Sequence, residues 1–129
     1  MIISAGTLKR RIRVERSLAD DEFDGAGSDA WVLVCEVAAS VIDMMPSRGE
    51  RLAAGINVAA RPARVRIRYR GDVSSAMRVL VGRNLHDDEG NTYWQTDRTA
   101  AIITVPAELG LREGLEFMIE DYTSPGGGA

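Results

Sequence analysis

Residues Arg64–Val81 read RVRIRYRGDVSSAMRVLV, and the fold turns on how this stretch is taken. Val65, Ile67 and Tyr69 alternate with Arg64, Arg66, Arg68 and Arg70. In a β-strand successive side chains point to opposite faces, so the segment has one apolar face and one guanidinium face. A helix would scatter the same arginines around its circumference, which makes strand the better reading. Gly71 and Asp72 supply turn chemistry, and Met77–Val81 reads as the next strand. The apolar face needs a covering layer. The arginine face must meet water, phosphate or acid, because an unpaired buried charge is too costly to keep.

Working outward, the same alternation recurs. Leu8, Ile12 and Val14 oppose Lys9, Arg11, Arg13 and Glu15 in a first strand that is basic outside. Ala19–Asp29 follows as an acidic loop carrying Asp20, Asp21, Glu22, Asp24 and Asp29. Trp31–Ile42 is apolar at nearly every position, which predicts a strand buried on both faces. Asp43–Pro62 breaks the pattern with Pro46, Gly49, Gly55 and Pro62. Within it Leu52, Ile56 and Ala59 or Ala60 have the spacing of a short amphipathic helix. Connections of this length are unusual in small β domains and tend to be functional or mobile.

Beyond the arginine strand, His86–Asn91 (HDDEGN) predicts a hairpin turn and Tyr93–Thr96 a short returning strand. Thr99–Val105 is a β-branched run stopped by Pro106, and Ala107–Gly110 has room for one helical turn. Leu115, Phe117 and Ile119 alternate with Glu116, Met118 and Glu120 in a last strand. Residues 1–7 read as a flexible arm, 8–122 as one domain and 123–129 as a flexible tail. The expected fold is mainly β: a small antiparallel barrel or sandwich of about six strands. Its long central loop, 43–62, carries the short helix.

Composition narrows the function. The 129 residues are 45% hydrophobic and 27% charged, ordinary for one globular domain. Net charge is −3, whereas a general nucleic-acid binder is usually basic overall. Of sixteen Lys and Arg residues only Lys9 is lysine. Cys35 is the single cysteine, in an apolar run that predicts a buried thiol and excludes an intrachain disulfide. No apolar run approaches the ~20 residues of a membrane helix, and no signal-peptide pattern opens the chain; synthesis and use without crossing a membrane are expected.

Candidate chemistry is sparse. His86-Asp87-Asp88-Glu89 is the only cluster resembling a metal or acid–base site, but adjacent turn side chains diverge and no second motif completes a ligand set. Turn chemistry explains the same letters. No serine sits in a nucleophile elbow, and neither Gly82 nor the Gly-rich tail joins strand to helix as a phosphate loop does. The reading is a noncatalytic protein without metal or cofactor. Aromatics total 5%, and none but Tyr69 interleaves with the arginines, so the stacking platforms of a single-strand binder are missing from the local pattern. With Asp20, Asp21, Glu22 and Asp24 on the same chain, pairing of an acidic loop with Arg64, Arg66, Arg68 and Arg70 at a subunit interface is the more economical use. A nucleic-acid-binding barrel module is the competing class.

GTLKRRI (6–12), Trp31 after the acidic Gly-containing loop, AASV (38–41), RGE (48–50), RVRIRYR (64–70) and MRV (77–79) occur in this order. Together they resemble the phage head-tail joining family, also called head completion or stopper proteins, over roughly Gly6–Tyr122. The chain departs from the family's pattern at Ala38, often Trp there, and at Tyr93-Trp94-Gln95. The resemblance implies a small β-barrel with a long loop, assembled as a dodecameric ring. That ring would sit between portal or adaptor proteins above and tail proteins below, with transient contact to packaged double-stranded DNA. It implies a virion protein made in the bacterial cytoplasm, from a phage, prophage or gene-transfer particle. It also implies a channel or gating loop near Asp43–Arg61, with Arg48, Glu50, Arg51, Leu52 and Ile56 facing the axis. A tail-completion or terminator subunit is the nearest alternative within the virion.

Overall fold

The computed structural model describes residues 5–18, 30–44 and 61–121. The acidic residues Asp20, Asp21, Glu22 and Asp24, the expected short helix, and Arg48, Glu50, Arg51, Leu52 and Ile56 lie outside the described residues. A single 3-10 turn, Ala5–Thr7, precedes seven strands. These are β1 (Arg10–Ser17), β2 (Trp31–Asp43), β3 (Ala63–Arg68), β4 (Arg78–His86), β5 (Thr92–Ile102), β6 (Ala107–Leu109) and β7 (Gly114–Asp121).

All pairings are antiparallel, in the order β3-β2-β1-β4-β5-β7-β6, and β3 pairs back onto β7. That last pairing closes six strands into a barrel, although β3 covers β2 only from Ser40 to Asp43. The arginine strand is β3, the element that closes it. Its burial alternates as the sequence requires: Ala63, Val65 and Ile67 are buried, while Arg64, Arg66 and Arg68 face out.

The interior takes one face from every long strand: Ile12 and Val14, Cys35 and Ala39, Val65 and Ile67, Val79 and Val81, Ala100 and Ile102, Leu115 and Ile119. Phe117 is the largest fully buried side chain, and Ala39, Ala63 and Ala100 supply small positions in the same cluster. Filling a narrow barrel needs this mixture of sizes, since interiors pack without voids. Each fully buried Val, Ile or Phe contributes about 1.5–3 kcal/mol.

Three sequence expectations are corrected. β2 is not buried on both faces: Cys35 and Ala39 are its buried residues, while Leu33 and Ile42 are 49% and 45% exposed. A continuous apolar run does not reveal how many faces are covered. Tyr93–Thr96 and Thr99–Ile102 belong to one strand, β5, interrupted by a bulge opposite Val81 and Gly82.

Ala107–Leu109 is strand rather than helical turn. β7 needs the strand for its ladder. β5 pairs only Ile119–Asp121, and β6 takes up the same edge at Gly114–Glu116. In the gap the Ile103 N–H donates to Met118 O at 2.9 Å, and the Met118 N–H donates to Thr104 Oγ1 at 3.0 Å. Pro106, with no N–H to offer, falls where the ladder is broken.

Candidate functional site

The long connection 45–60 enters and leaves the barrel at one end, and that end is closed by an ionic node. Met44 N–H donates to Pro62 O at 2.8 Å, so the two stems leave side by side. Arg98 lies beneath them with only 6% of its side chain exposed. Its Nη1 donates to Asp43 Oδ1 at 2.8 Å. Its Nε binds Asp121 Oδ1 and its Nη2 binds the carbonyl of Arg61. Arg61 adds its own pairs to Asp43 at 3.3 Å and Asp121 at 3.5 Å. One guanidinium therefore ties the end of β2, the start of β3 and the end of β7 to β5. A planar fork with five donors suits several acceptors at fixed angles. Asp43 is held below its usual carboxylate range: partial burial works against that, and hydrogen bonds from Arg98 and Arg61 prevail.

The bulge explains how Arg98 comes to point inward. Trp94 and Thr96 lie on the outside, and uninterrupted alternation would put residue 98 there too. The register shift places Gly82 opposite Thr96 but Val81 opposite Arg98, so Asp97 is the extra residue and the face changes. Gly82 is required at this crossing. A Cβ there would lie 2.1 Å from Gln95 O and 2.8 Å from Trp94 Cζ2.

The outer wall carries further ion-pair groups. Glu36 on β2 accepts from Arg11 Nε at 2.9 Å, Arg13 Nε at 2.9 Å and Asn84 Nδ2 at 3.0 Å. Those bonds, that of Asn84 first and then those of the arginines, pull its pKa down to about 2. Arg13 also stacks 4.5 Å over the Trp94 ring, whose Nε1 donates to Thr96 Oγ1 at 2.7 Å. On the far side of β1, Arg78 binds Glu15 at 2.7 Å and stacks 4.2 Å over Trp31. On β3 and β7, Arg66 Nε donates to Glu116 Oε1 at 2.6 Å, while Arg64 stands 3.7 Å from the same oxygen. Arginines and aromatics do meet, then, but between strands, where local sequence does not show it.

Of the proposed interface arginines, Arg64 and Arg66 share Glu116, and Arg70 binds Asp72 through two contacts at 3.0 and 2.9 Å. Arg68 is exposed and has no ion pair among the described residues. It borders a groove of about 290 Å³ lined by Leu8, Val37, Ala38, Arg68, Tyr69 and Arg70, which opens where β3 leaves β2. His86–Asn91 is the hairpin turn expected. Asp87 Oδ1 accepts the Glu89 and Asn91 amides at 2.9 and 2.8 Å, and His86 Nδ1 meets Thr92 Oγ1 at 3.1 Å. Among the described residues no group of three or more His, Cys, Asp or Glu is arranged to hold a metal ion. Cys35 is buried, and burial pushes its thiol pKa up.

Sequence reading missed the Arg98 node. The available signal was the phase of Ala100 and Ile102: counted back by twos from these inward residues, position 98 falls inside.

Within this barrel most of the described arginines pin strands and loop stems to one another. The phage head completion protein family matches residues 3–121, nearly the whole chain, and the chain belongs to that family. It is thus a phage head-tail structural protein, incorporated in the virion in contact with other virion proteins. The solution structure of protein SF1141 from Shigella flexneri 2a has a similar fold. It aligns with a TM-score of 0.57 and 24% identity over 92% of this chain and 96% of that one. No curated protein matches the chain.

Proposed function

We propose that the chain is a noncatalytic subunit of a ring at the head-tail connector, joining portal or adaptor proteins to the tail and helping to close the DNA channel. Membership of the head completion family supports the location. The observation that carries the gate is the clamp beneath the long connection: Arg98 holds Asp43 at one stem and the Arg61 carbonyl at the other. A connection anchored this way can vary between its stems while the barrel keeps its shape. In a ring, one such connection per subunit would present Arg48, Glu50, Arg51, Leu52 and Ile56 to the axis as a collar. Sterics alone would then narrow the opening, with transient contact to DNA and no catalytic group.

The test is deletion of Gly49–Val58. The expected protein folds with an unchanged core, assembles into a dodecameric ring in particles, and lets packaged DNA escape. Changing the length of a connection alters closure entropy only slightly, about 0.6 kcal/mol per doubling. Full DNA retention in particles carrying the deletion removes the gate; a domain that no longer folds makes the connection structural.

A further inference from the structure

The groove beside Arg68 has features that the in-chain ion pairs do not use. β1 covers one edge of β2 from Trp31 to Ala39, whereas β3 covers the other edge only from Ser40 to Asp43. The groove opens at that departure, with an apolar floor of Leu8, Val37, Ala38 and Tyr69. Arg68 stands at its rim. Lys9 and Arg10 follow Leu8 directly, both exposed, with Arg10 opposite Ala39 in the ladder. None of these three cations has an ion pair among the described residues. Of the two arginines that line the groove, Arg70 is held by Asp72 and Arg68 is unpaired. An apolar floor with one unpaired cation at its rim and two more next along the chain from Leu8 fits an aromatic side chain flanked by carboxylates.

The chain contains one such segment. It has two phenylalanines. Phe117 fills the core, and Phe23 stands within Asp20-Asp21-Glu22-Phe23-Asp24, the densest acidic run. We propose that the groove receives Asp21–Asp24 of a second copy, with Phe23 on the apolar floor and its neighbouring carboxylates on Arg68, Lys9 and Arg10. The space is sufficient, since cavities of about 150 Å³ already take a benzene ring.

Chain length points to a second copy rather than the same one. The hairpin is closed by Leu18 N–H to Ala30 O at 3.0 Å. Phe23 is five residues beyond Leu18, a reach of at most about 18 Å. The groove lies six or seven residues along β2 from Trp31, roughly 20–23 Å away. A segment folding back on its own barrel would have to be fully extended, with nothing left to make the reversal. Donated to a neighbour, the same contact is heterologous and repeats from copy to copy, the arrangement that closes rings. This proposal rests on the ring reading and assigns its contact.

The experiment uses full-length protein and a labelled peptide, LADDEFDGAG, residues 18–27, followed by fluorescence anisotropy at low salt. Saturable binding is expected. Replacing Phe23 by Ala in the peptide, or Arg68→Glu in the protein, should each weaken it by about tenfold or more. Peptide variants cannot unfold the receptor, and Arg68→Glu should keep the parent melting curve. No saturation up to millimolar peptide, or equal binding by the Phe23→Ala peptide or the Arg68→Glu protein, overturns the proposal. Particles that contain a normal ring of Phe23→Ala chains would overturn this contact and leave the ring reading standing. Peptide binding as expected, with no ring in particles, would overturn the ring reading instead.

Discussion

Arg98 Nη1 donates to Asp43 Oδ1 at 2.8 Å, so the middle of β5 grips the last residue of β2 across the end of the barrel. The same guanidinium binds the Arg61 carbonyl at the first turn into β3. The two stems of the 45–60 connection are therefore positioned by a side chain far from either in sequence. Arg98→Met keeps the aliphatic stem and removes the donors. Breaking a fully buried pair costs about 3–5 kcal/mol. Asp43 is half exposed and rehydrates, so a loss of about 1.5–3 kcal/mol in chemical denaturation is expected. Arg98→Lys should recover little, because one ammonium cannot span three acceptors. A melting curve equal to the parent's for Arg98→Met would show that the node has no energetic role.

Glu36 gives a pH signature. Its folded pKa is about 2, below the ordinary carboxylate value of 4.5. A depressed folded pKa means stability that is fully present above the unfolded pKa and lost as pH falls through the folded one. Stability should therefore decline between about pH 5 and 2, as Asn84, Arg11 and Arg13 lose their acceptor. In Glu36→Gln part of that slope should vanish. Melting temperatures of both proteins across this range decide it; parallel curves would reject Glu36 as a contributor.

Gly82 tests the bulge. A methyl at this position meets the Gln95 carbonyl at 2.1 Å, and backbone cannot yield as a flexible side chain does. Gly82→Ala should cost about 1–3 kcal/mol or more. Because Trp94 covers the same spot, its ring should also shift from Arg13, changing tryptophan fluorescence in the folded state. Unchanged emission and stability would mean that β5 can move away freely.

The sequence made the barrel legible wherever alternation was local. Arg64–Arg68 showed its buried and exposed faces, and Leu115–Ile119 did the same. Asp87 declared its turn through side-chain chemistry that acts within four residues. What stayed hidden depended on pairing between distant strands. The bulge at Val81 and Gly82 turns Arg98 inward, and no alternation counted from Trp94 passes through a bulge unchanged. β6 is extended because β7 has an edge to fill, a fact about residue 114 rather than residue 107. Alternation shows that the arginine face must meet water, phosphate or acid, but Glu116, which serves Arg64 and Arg66, is 50 residues from Arg66. Nothing near β3 could name it.

That pairing also bears on the competing nucleic-acid reading. Arg11, Arg13, Arg61, Arg66, Arg70, Arg78 and Arg98 all have carboxylate partners within 3.5 Å, on a chain of net charge −3. A guanidinium already neutralised in place releases few DNA counterions when a phosphate approaches. Among the described residues Lys9, Arg10, Arg68 and Arg112 have no carboxylate partner, and Arg64 and Arg83 stand 3.7 and 3.8 Å from theirs. Each phosphate contact contributes about −0.9 to the slope of log K against log salt. Duplex DNA should therefore bind weakly, with a slope no steeper than about −4 if the four unpaired cations dominate. Titration of a labelled duplex at several salt concentrations measures it. Tight binding with a slope of about −6 or beyond would require many more phosphate contacts. The paired arginines would then have to exchange their acids for DNA, and the barrel would belong to the nucleic-acid-binding class after all.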